Sequence, residues 1–433
     1  MDSSRLNILL YAVLWFITFL VAYFRFSSRK LGASSYLFFV VFFCSICSYL
    51  TFIDPWNPED YKEIKLFPFI YLYGMVIITC LPAIRYDKSR IDTIQKPSQG
   101  LLDIISWAYI VCTLLTIPSE VQGLGAKVLL TMTGAGSDLY LEMAEGYDTS
   151  GTGISNLPSI IGGFFYFPSL VIAFYYLTLD DNRHKKVMLF LFISFAYRLV
   201  INIFSGQRGG MVRELFFLAS YYALFYRFYS SKIKKRFNKL FITLSVALLV
   251  PFMLITVSRF DDALGGPATS MLAYSGQSSL YFNNYGLDDN GIRYGDRVAP
   301  GFKILMGFDN VPVNFVQRRQ KYPRLYINDE AFCTYVGDFT IDFGPIMGGL
   351  ILVFISLFLT ARLKIYNREI KFYQLIILGT LAGMISQGYL KLFPFSGVTG
   401  NLSIIFIFIL CLVFKQDYVN QLKRKRIQQT QNR

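Results

Sequence analysis

SSYLFFVVFFCSICSYLTFI, residues 34–53, carries no charged side chain in twenty positions. An α-helix rises about 1.5 Å per residue, so a run of this length reaches across the ~30 Å hydrocarbon core of a bilayer. Lipid offers the backbone no hydrogen-bond partner, and such a run must satisfy its own N–H and C=O groups as a helix. Similar runs recur at 6–24, 66–84, 99–118, 157–179, 187–204, 210–229, 239–257, 343–361, 372–390 and 400–416. The expected fold is all-α and polytopic, with about eleven transmembrane helices and one long extracytoplasmic loop. Residues 1–257 hold helices one to eight with a smaller outer loop at 119–156. The large loop is 258–340, and 341–433 hold helices nine to eleven and a basic tail. The opening stretch MDSSRLNILLYAVLWF lacks a small-residue cleavage motif and reads as a retained first helix.

Composition agrees: 54% of residues are hydrophobic and only 16% charged, where a soluble domain carries about 25% charge. The net charge of +14 would suggest nucleic acid in a soluble protein. Here Lys and Arg gather in alternate connections: FRFSSRK at 24–30, the 85–96 stretch, DDNRHKK at 180–186, RFYSSKIKKR at 227–236, ARLKIYNREIK at 361–371 and the tail KRKR at 423–426. The intervening connections are acidic, neutral or short, DPWNPEDYKEIK at 54–65 among them. The positive-inside rule then puts the N-terminus outside and the C-terminus in the cytoplasm. Long loops translocate regardless of charge, so the arginines of 258–340 do not oppose an outer position. The RGG at 208–210 is a single copy, not an RNA-binding repeat, and no nucleic-acid partner is expected.

Several chemistries drop out. The only histidine, His184, lies in a basic connection, so no histidine base serves the outer face. Neither a nucleophilic triad nor a carboxylate–histidine metal cluster is available, and no metal or cofactor is expected. Cys44, Cys47, Cys80, Cys112 and Cys411 sit in apolar runs, and Cys333 is the sole cysteine of the long loop. The CxxC spacing of Cys44 and Cys47 has no polar surroundings and reads as core packing.

What remains is arginine and carboxylate. The long segment carries Arg259, Arg293, Arg297, Arg318, Arg319 and Arg324, with Lys303 and Lys321. Arginine grips phosphate bidentately and stays charged everywhere, though a solvated loop face explains any one of these equally well. Arg208 is better placed. It lies in SGQRGG at 205–210, where glycines admit close backbone approach and a helix N-terminus follows. That is a diphosphate cradle, or else a tight turn with a snorkelling arginine. Arg198, Arg213 and Glu214 fall inside apolar runs, where an Arg198–Glu214 or Arg213–Glu214 pair is the structural expectation. Asp338 and Asp342 in GDFTIDFGPIMGG at 337–349 are four apart and share a helix face, and Asp342 also reads as an N-cap. Glu330 and Asp329 complete the carboxylates, and Tyr281, Tyr285, Tyr294, Tyr322 and Tyr326 suit sugar stacking or interfacial anchoring.

Many helices, a long loop rich in Arg and Tyr, SGQRGG opening a helix, and GDFTIDFGPIMGG leading out of the loop together resemble the Wzy-type oligosaccharide repeat-unit polymerases. The resemblance covers most of the chain in topology and two short motifs in sequence. It implies a GT-C-like fold and an inverting glycosyltransferase in the bacterial cytoplasmic (inner) membrane. Such an enzyme moves a growing glycan from undecaprenyl diphosphate onto a new lipid-linked repeat unit, making O-antigen for lipopolysaccharide or capsular polysaccharide. Donor and acceptor are undecaprenyl-diphosphate-linked oligosaccharides; membrane lipids and a chain-length regulator protein are the other implied partners. The family's glycine-flanked arginine maps to Arg208, and its basic outer loop to Arg259, Arg318, Arg319 and Arg324. These cations would stabilise the departing diphosphate. A carboxylate, Asp338 first and then Glu330 or Asp342, would take the acceptor hydroxyl's proton. O-antigen ligases share the topology but use a histidine in their large loop, which this chain lacks. A lipid-linked glycan flippase and a non-enzymatic scaffold are the remaining readings. Flippases show short loops and inverted repeats, and no repeat is visible here.

Overall fold

The computed structural model describes residues 3–27, 30–57, 61–121, 157–179, 183–204, 208–260, 266–327 and 331–431. The side chains at 204–209, at 248–260 apart from Met253, and at 267 lie outside the described set. Helix α1 (Ser3–Val21) ends in a π turn at Ala22–Phe26, and α2 (Ala33–Ile53) returns beside it. α3 (Leu66–Thr79) and α4 (Leu81–Lys88) form one apolar span bent by 49°. α5 (Gln99–Val121), α6 (Leu157–Tyr176), α7 (Lys185–Phe204), α8 (Arg208–Phe225) and α9 (Ser231–Phe260) follow. The long segment holds α10 (Gly266–Tyr281), α11 (Pro300–Leu305), α12 (Phe315–Lys321) and α13 (Thr334–Phe343). α14 (Pro345–Arg362), α15 (Phe372–Leu390) and α16 (Gly397–Gln431) close the chain.

Each of the eleven apolar runs is matched by a helix, the third by the bent α3–α4 pair. Among the described residues, seven helices (α1, α2, α5, α6, α7, α14 and α16) are long and apolar enough to cross a membrane, and the bent pair makes up to eight. The chain is an all-α, multi-pass membrane protein. α8 and α15 are membrane-length but more polar: α8 carries Arg213 and Glu214, and α15 carries Gln374 and Gln387. For α15 the reason is position. Fourteen of its nineteen residues are buried and the rest half-buried, so protein rather than lipid surrounds most of its polar groups.

Lipid tails are as apolar as leucine, so helix association rests on close packing and hydrogen bonds. Tyr11 of α1 stacks on Phe69 of α3 with centroids 4.2 Å apart, and its hydroxyl meets that of Tyr389 of α15 at 2.7 Å. α10 lies along α2: Ser48 donates to the Gly276 carbonyl at 2.7 Å, and Thr269 donates to Asp54 at 2.6 Å. Part of the expected loop thus docks on α2, reaching about 10 Å along that helix.

The bundle has two chemically distinct ends. The basic end collects the Lys/Arg-rich connections. There the two-residue strands β1 (Thr93–Ile94) and β2 (Glu369–Ile370) pair in parallel and tie two connections together. Buried Asp87 accepts from the Ala33 and Ser34 N–H groups at 3.2 and 2.8 Å, capping the N-terminus of α2 from another element. The other end, called here the loop end, carries the long segment. Its exit is the break between α13 and α14, where Gly344 has φ +80° and Pro345 starts the next helix. Only glycine adopts that φ without strain, and proline's missing N–H is no loss at a first helical position.

Candidate functional site

At the loop end, residues 287–327 fold as a lobe held against α13 by buried charge. Asp338 and Asp342 project from one face of α13, and Arg293 and Arg297 share the same four-residue spacing in the lobe. Arg293 Nε donates to Asp342 Oδ1 at 2.7 Å, and its Nη2 to Asp338 Oδ1 at 3.4 Å. Arg297 Nε lies 3.0 Å from the same Asp338 oxygen. Asp342 Oδ2 accepts the N–H groups of Arg297 and Val298 at 3.0 and 2.7 Å, and Asp338 Oδ2 accepts the Phe393 N–H at 2.7 Å. Two guanidiniums and two carboxylates therefore cancel. Burying single charges costs several kcal/mol each, and only such mutual pairing offsets it.

A third buried carboxylate, Asp296, takes two more cations. Lys303 and Lys321 both pair with it, the latter at 2.7 Å, and the Tyr322 hydroxyl lies at 2.6 Å. Burial opposes ionisation of Asp296, but these three hydrogen bonds outweigh it and hold its pKa below the ordinary carboxylate value.

These contacts sort the expected site residues. Asp338 and Asp342 are 1% and 0% exposed, and all four of their oxygens are engaged. Asp342 caps lobe backbone rather than the next helix, whose N-cap is Gly344. Arg319 and Arg324 face water, and Arg318 is half-buried on α12. Glu330 and Asp329 lie outside the described residues, as do the outer loop from 122 to 156 and the side chains of Arg208 and Arg259.

The backbone of Arg208 nevertheless has a place, as the first residue of α8. α8 and α15 run antiparallel: a Cβ on Gly379 would meet Tyr221 at 2.5 Å, and one on Gly383 would meet Phe217 at 3.1 Å. Extending this register puts residue 208 level with residue 392, about half a turn beyond the end of α15, at the loop end beside the segment that holds Asp338. Gly210 serves packing: a Cβ there would fall 2.3 Å from the Asn202 side chain, so glycine lets α7 and α8 approach. One turn along α8, buried Glu214 pairs with Arg213 at 3.2 Å and accepts the Tyr166 hydroxyl. Arg198 sits 4.5 Å over the Tyr166 ring. The pair is therefore Arg213–Glu214, with Arg198 joined through tyrosine.

The lobe also carries a carboxylate that sequence reasoning missed. Asp289 is 3% exposed; its Oδ1 accepts the Ile327 N–H at 2.7 Å, and its Oδ2 has no hydrogen-bond partner among the described residues. Burial raises its pKa to about 6, against the pull of the Ile327 N–H and the Arg293 charge. It lines a groove of about 310 Å³ with Asp288, Tyr285, Tyr294 and Thr340. Nearby, Lys62 stands 4.5 Å from the Tyr285 ring and 4.6 Å from the Tyr326 ring. Sequence offered only LDDNG, which reads as a turn, and Asn290 does adopt φ +58°. Among the described residues, no cluster of His, Cys, Asp and Glu is suited to a metal ion.

No protein-family profile, curated protein or solved structure matches the chain.

Proposed function

We propose that this protein is a membrane glycosyltransferase that polymerises undecaprenyl-diphosphate-linked oligosaccharide repeat units into O-antigen or capsular polysaccharide. It works as a Wzy-type polymerase with a GT-C-like fold, eleven spans and the loop end outside the bacterial cytoplasmic membrane. The observation that carries this reading is the lobe groove. It sets among tyrosines a carboxylate with one buried oxygen that has no hydrogen-bond partner among the described residues, at the same end of the bundle as Arg208.

In this reading an acceptor hydroxyl attacks the anomeric carbon of the donor. The bond to the lipid diphosphate breaks, and the electron pair leaves with the diphosphate. Arg208, Arg259 and water-facing Arg319 and Arg324 supply cations for that growing charge. The hydroxyl's proton goes to a carboxylate. Asp338 and Asp342 have their oxygens occupied, so Asp289 takes the role and the buried quartet positions it, Arg293 lending its charge to both. A base with a pKa near 6 is ionised at neutral pH and still accepts a proton effectively.

The test is reconstitution. Wild type and Arg208→Ala are purified in lipid and given the host's undecaprenyl-diphosphate repeat unit without nucleotide sugars. The expected result is a glycan ladder from the wild type, reduced about 10²–10³-fold in the folded variant. No ladder from intact, substrate-bound wild type would sink the polymerase reading and favour transport.

A further inference from the structure

On the far side of the bundle from Arg208 and α8, α14 and α16 stand apart over α15 and leave a groove of about 420 Å³ open to the lipid. Its walls are almost wholly hydrocarbon, with Leu352, Ile377 and Phe408 typical. One end stops against Phe393 and Phe395, beneath the buried charge quartet, and the other end is framed by Arg362 and Lys415.

The dimensions select an occupant. Ile404 and Lys415 both line the groove, and the eleven helical steps of α16 from one to the other span about 16 Å. That is about half of the ~30 Å hydrocarbon thickness, the depth of one leaflet. Spread over such a length, 420 Å³ leaves the width of a single extended hydrocarbon chain.

Charge selects the head group and its direction. Neither Arg362 nor Lys415 is paired with a carboxylate among the described residues; Arg362 only rests 4.9 Å over the Phe358 ring. Lys371, drawn to nearby Glu369, also lies close enough to Lys415 for the two cations to repel. An anion between these cations would relieve that repulsion, and its hydrocarbon would run toward Phe393. A polyprenyl diphosphate presented at the loop end would lie the other way round, with its diphosphate far from Arg362. We infer that the groove between α14 and α16 is a binding site for one anionic phospholipid of the basic-end leaflet, with an acyl chain along α15 and its phosphate held by Arg362 and Lys415.

The protein, purified in detergent, is incubated with equal amounts of phosphatidylglycerol and phosphatidylcholine of the same chains, and bound lipid is counted by native mass spectrometry. One phosphatidylglycerol per chain is expected, preferred about tenfold or more over phosphatidylcholine. The double variant Arg362→Gln with Lys415→Gln changes only exposed side chains and should lose the preference. Thr380→Phe fills the groove floor at a hydroxyl that makes no hydrogen bond among the described residues, and should lose both lipids. Equal retention of the two lipids by wild type, or unchanged phosphatidylglycerol binding in the double variant, overturns the proposal. So does one-for-one displacement of phosphatidylglycerol by a polyprenyl phosphate, which would give the groove to a substrate chain. If Thr380→Phe does not fold, the double variant decides alone.

Discussion

Arg293 and Asp342 meet at 2.7 Å, 49 residues apart in the chain, with their side chains 2% and 0% exposed. This contact joins the lobe to α13 and so fixes where the groove carboxylate stands. Its energetics are those of a buried pair: the intact pair is nearly neutral for stability, and a broken one is costly.

Arg293→Ala strands Asp342 and weakens the grip on Asp338, and should destabilise the folded protein by about 3–5 kcal/mol. The measurement is thermal unfolding in detergent, with limited proteolysis of 287–327 as a local readout. Arg324→Ala, at an exposed position, is the control and should change little. An Arg293→Ala protein as stable and protease-resistant as that control would show that the pair does not hold the lobe.

Asp289 gives a prediction about pH. Its folded pKa of about 6 stands above the unfolded value near 3.9. Folding therefore favours its protonated form: the stabilisation from that proton is complete below about pH 4 and is lost as pH rises through 6. At pH 7 the wild type holds a buried charge that Asp289→Asn lacks. The variant should be the more stable of the two at pH 7, and the two should converge at acid pH. If Asp289 is the base, the variant also loses the ladder, and wild-type turnover falls as pH drops through about 6. A stable, fully active Asp289→Asn would return the base to another residue.

The orientation is directly testable. Arg324→Cys in the lobe and Lys425→Cys in the C-terminal helix carry exposed thiols at opposite ends of the bundle. In intact cells a membrane-impermeant maleimide should label the first and spare the second until the membrane is opened. The reverse pattern would place the lobe in the cytoplasm and remove it from any outer-leaflet chemistry. Background is low, because five of the six native cysteines are buried.

Much of the fold was legible because hydrophobic length is a local property. A run such as 34–53 has one way to satisfy its backbone in lipid, whatever surrounds it, and each of the eleven runs is matched by a helix. The bend between α3 and α4 fell inside one apolar run, and hydropathy has no term for a bend. α10 has no such signature, because its sixteen residues are short and only mildly apolar. They form a helix on α2 through the Gly276 and Ser48 contact, which no local pattern announces.

The site was legible in residue type but not in assignment. The sequence alone established that arginine, carboxylate and tyrosine are the available chemistry of the long segment, and that no histidine joins them. Tertiary structure decided which of those charges are already neutralised: Arg293, Arg297, Lys303 and Lys321 against Asp338, Asp342 and Asp296. It also decided that Asp289, inside a plain turn, lines a groove and keeps one buried oxygen without a hydrogen-bond partner among the described residues. The physical reason is range. Helix formation in lipid depends on neighbours within one run, whereas the pairing of a charge depends on burial and on partners that only long-range packing brings within a few ångströms.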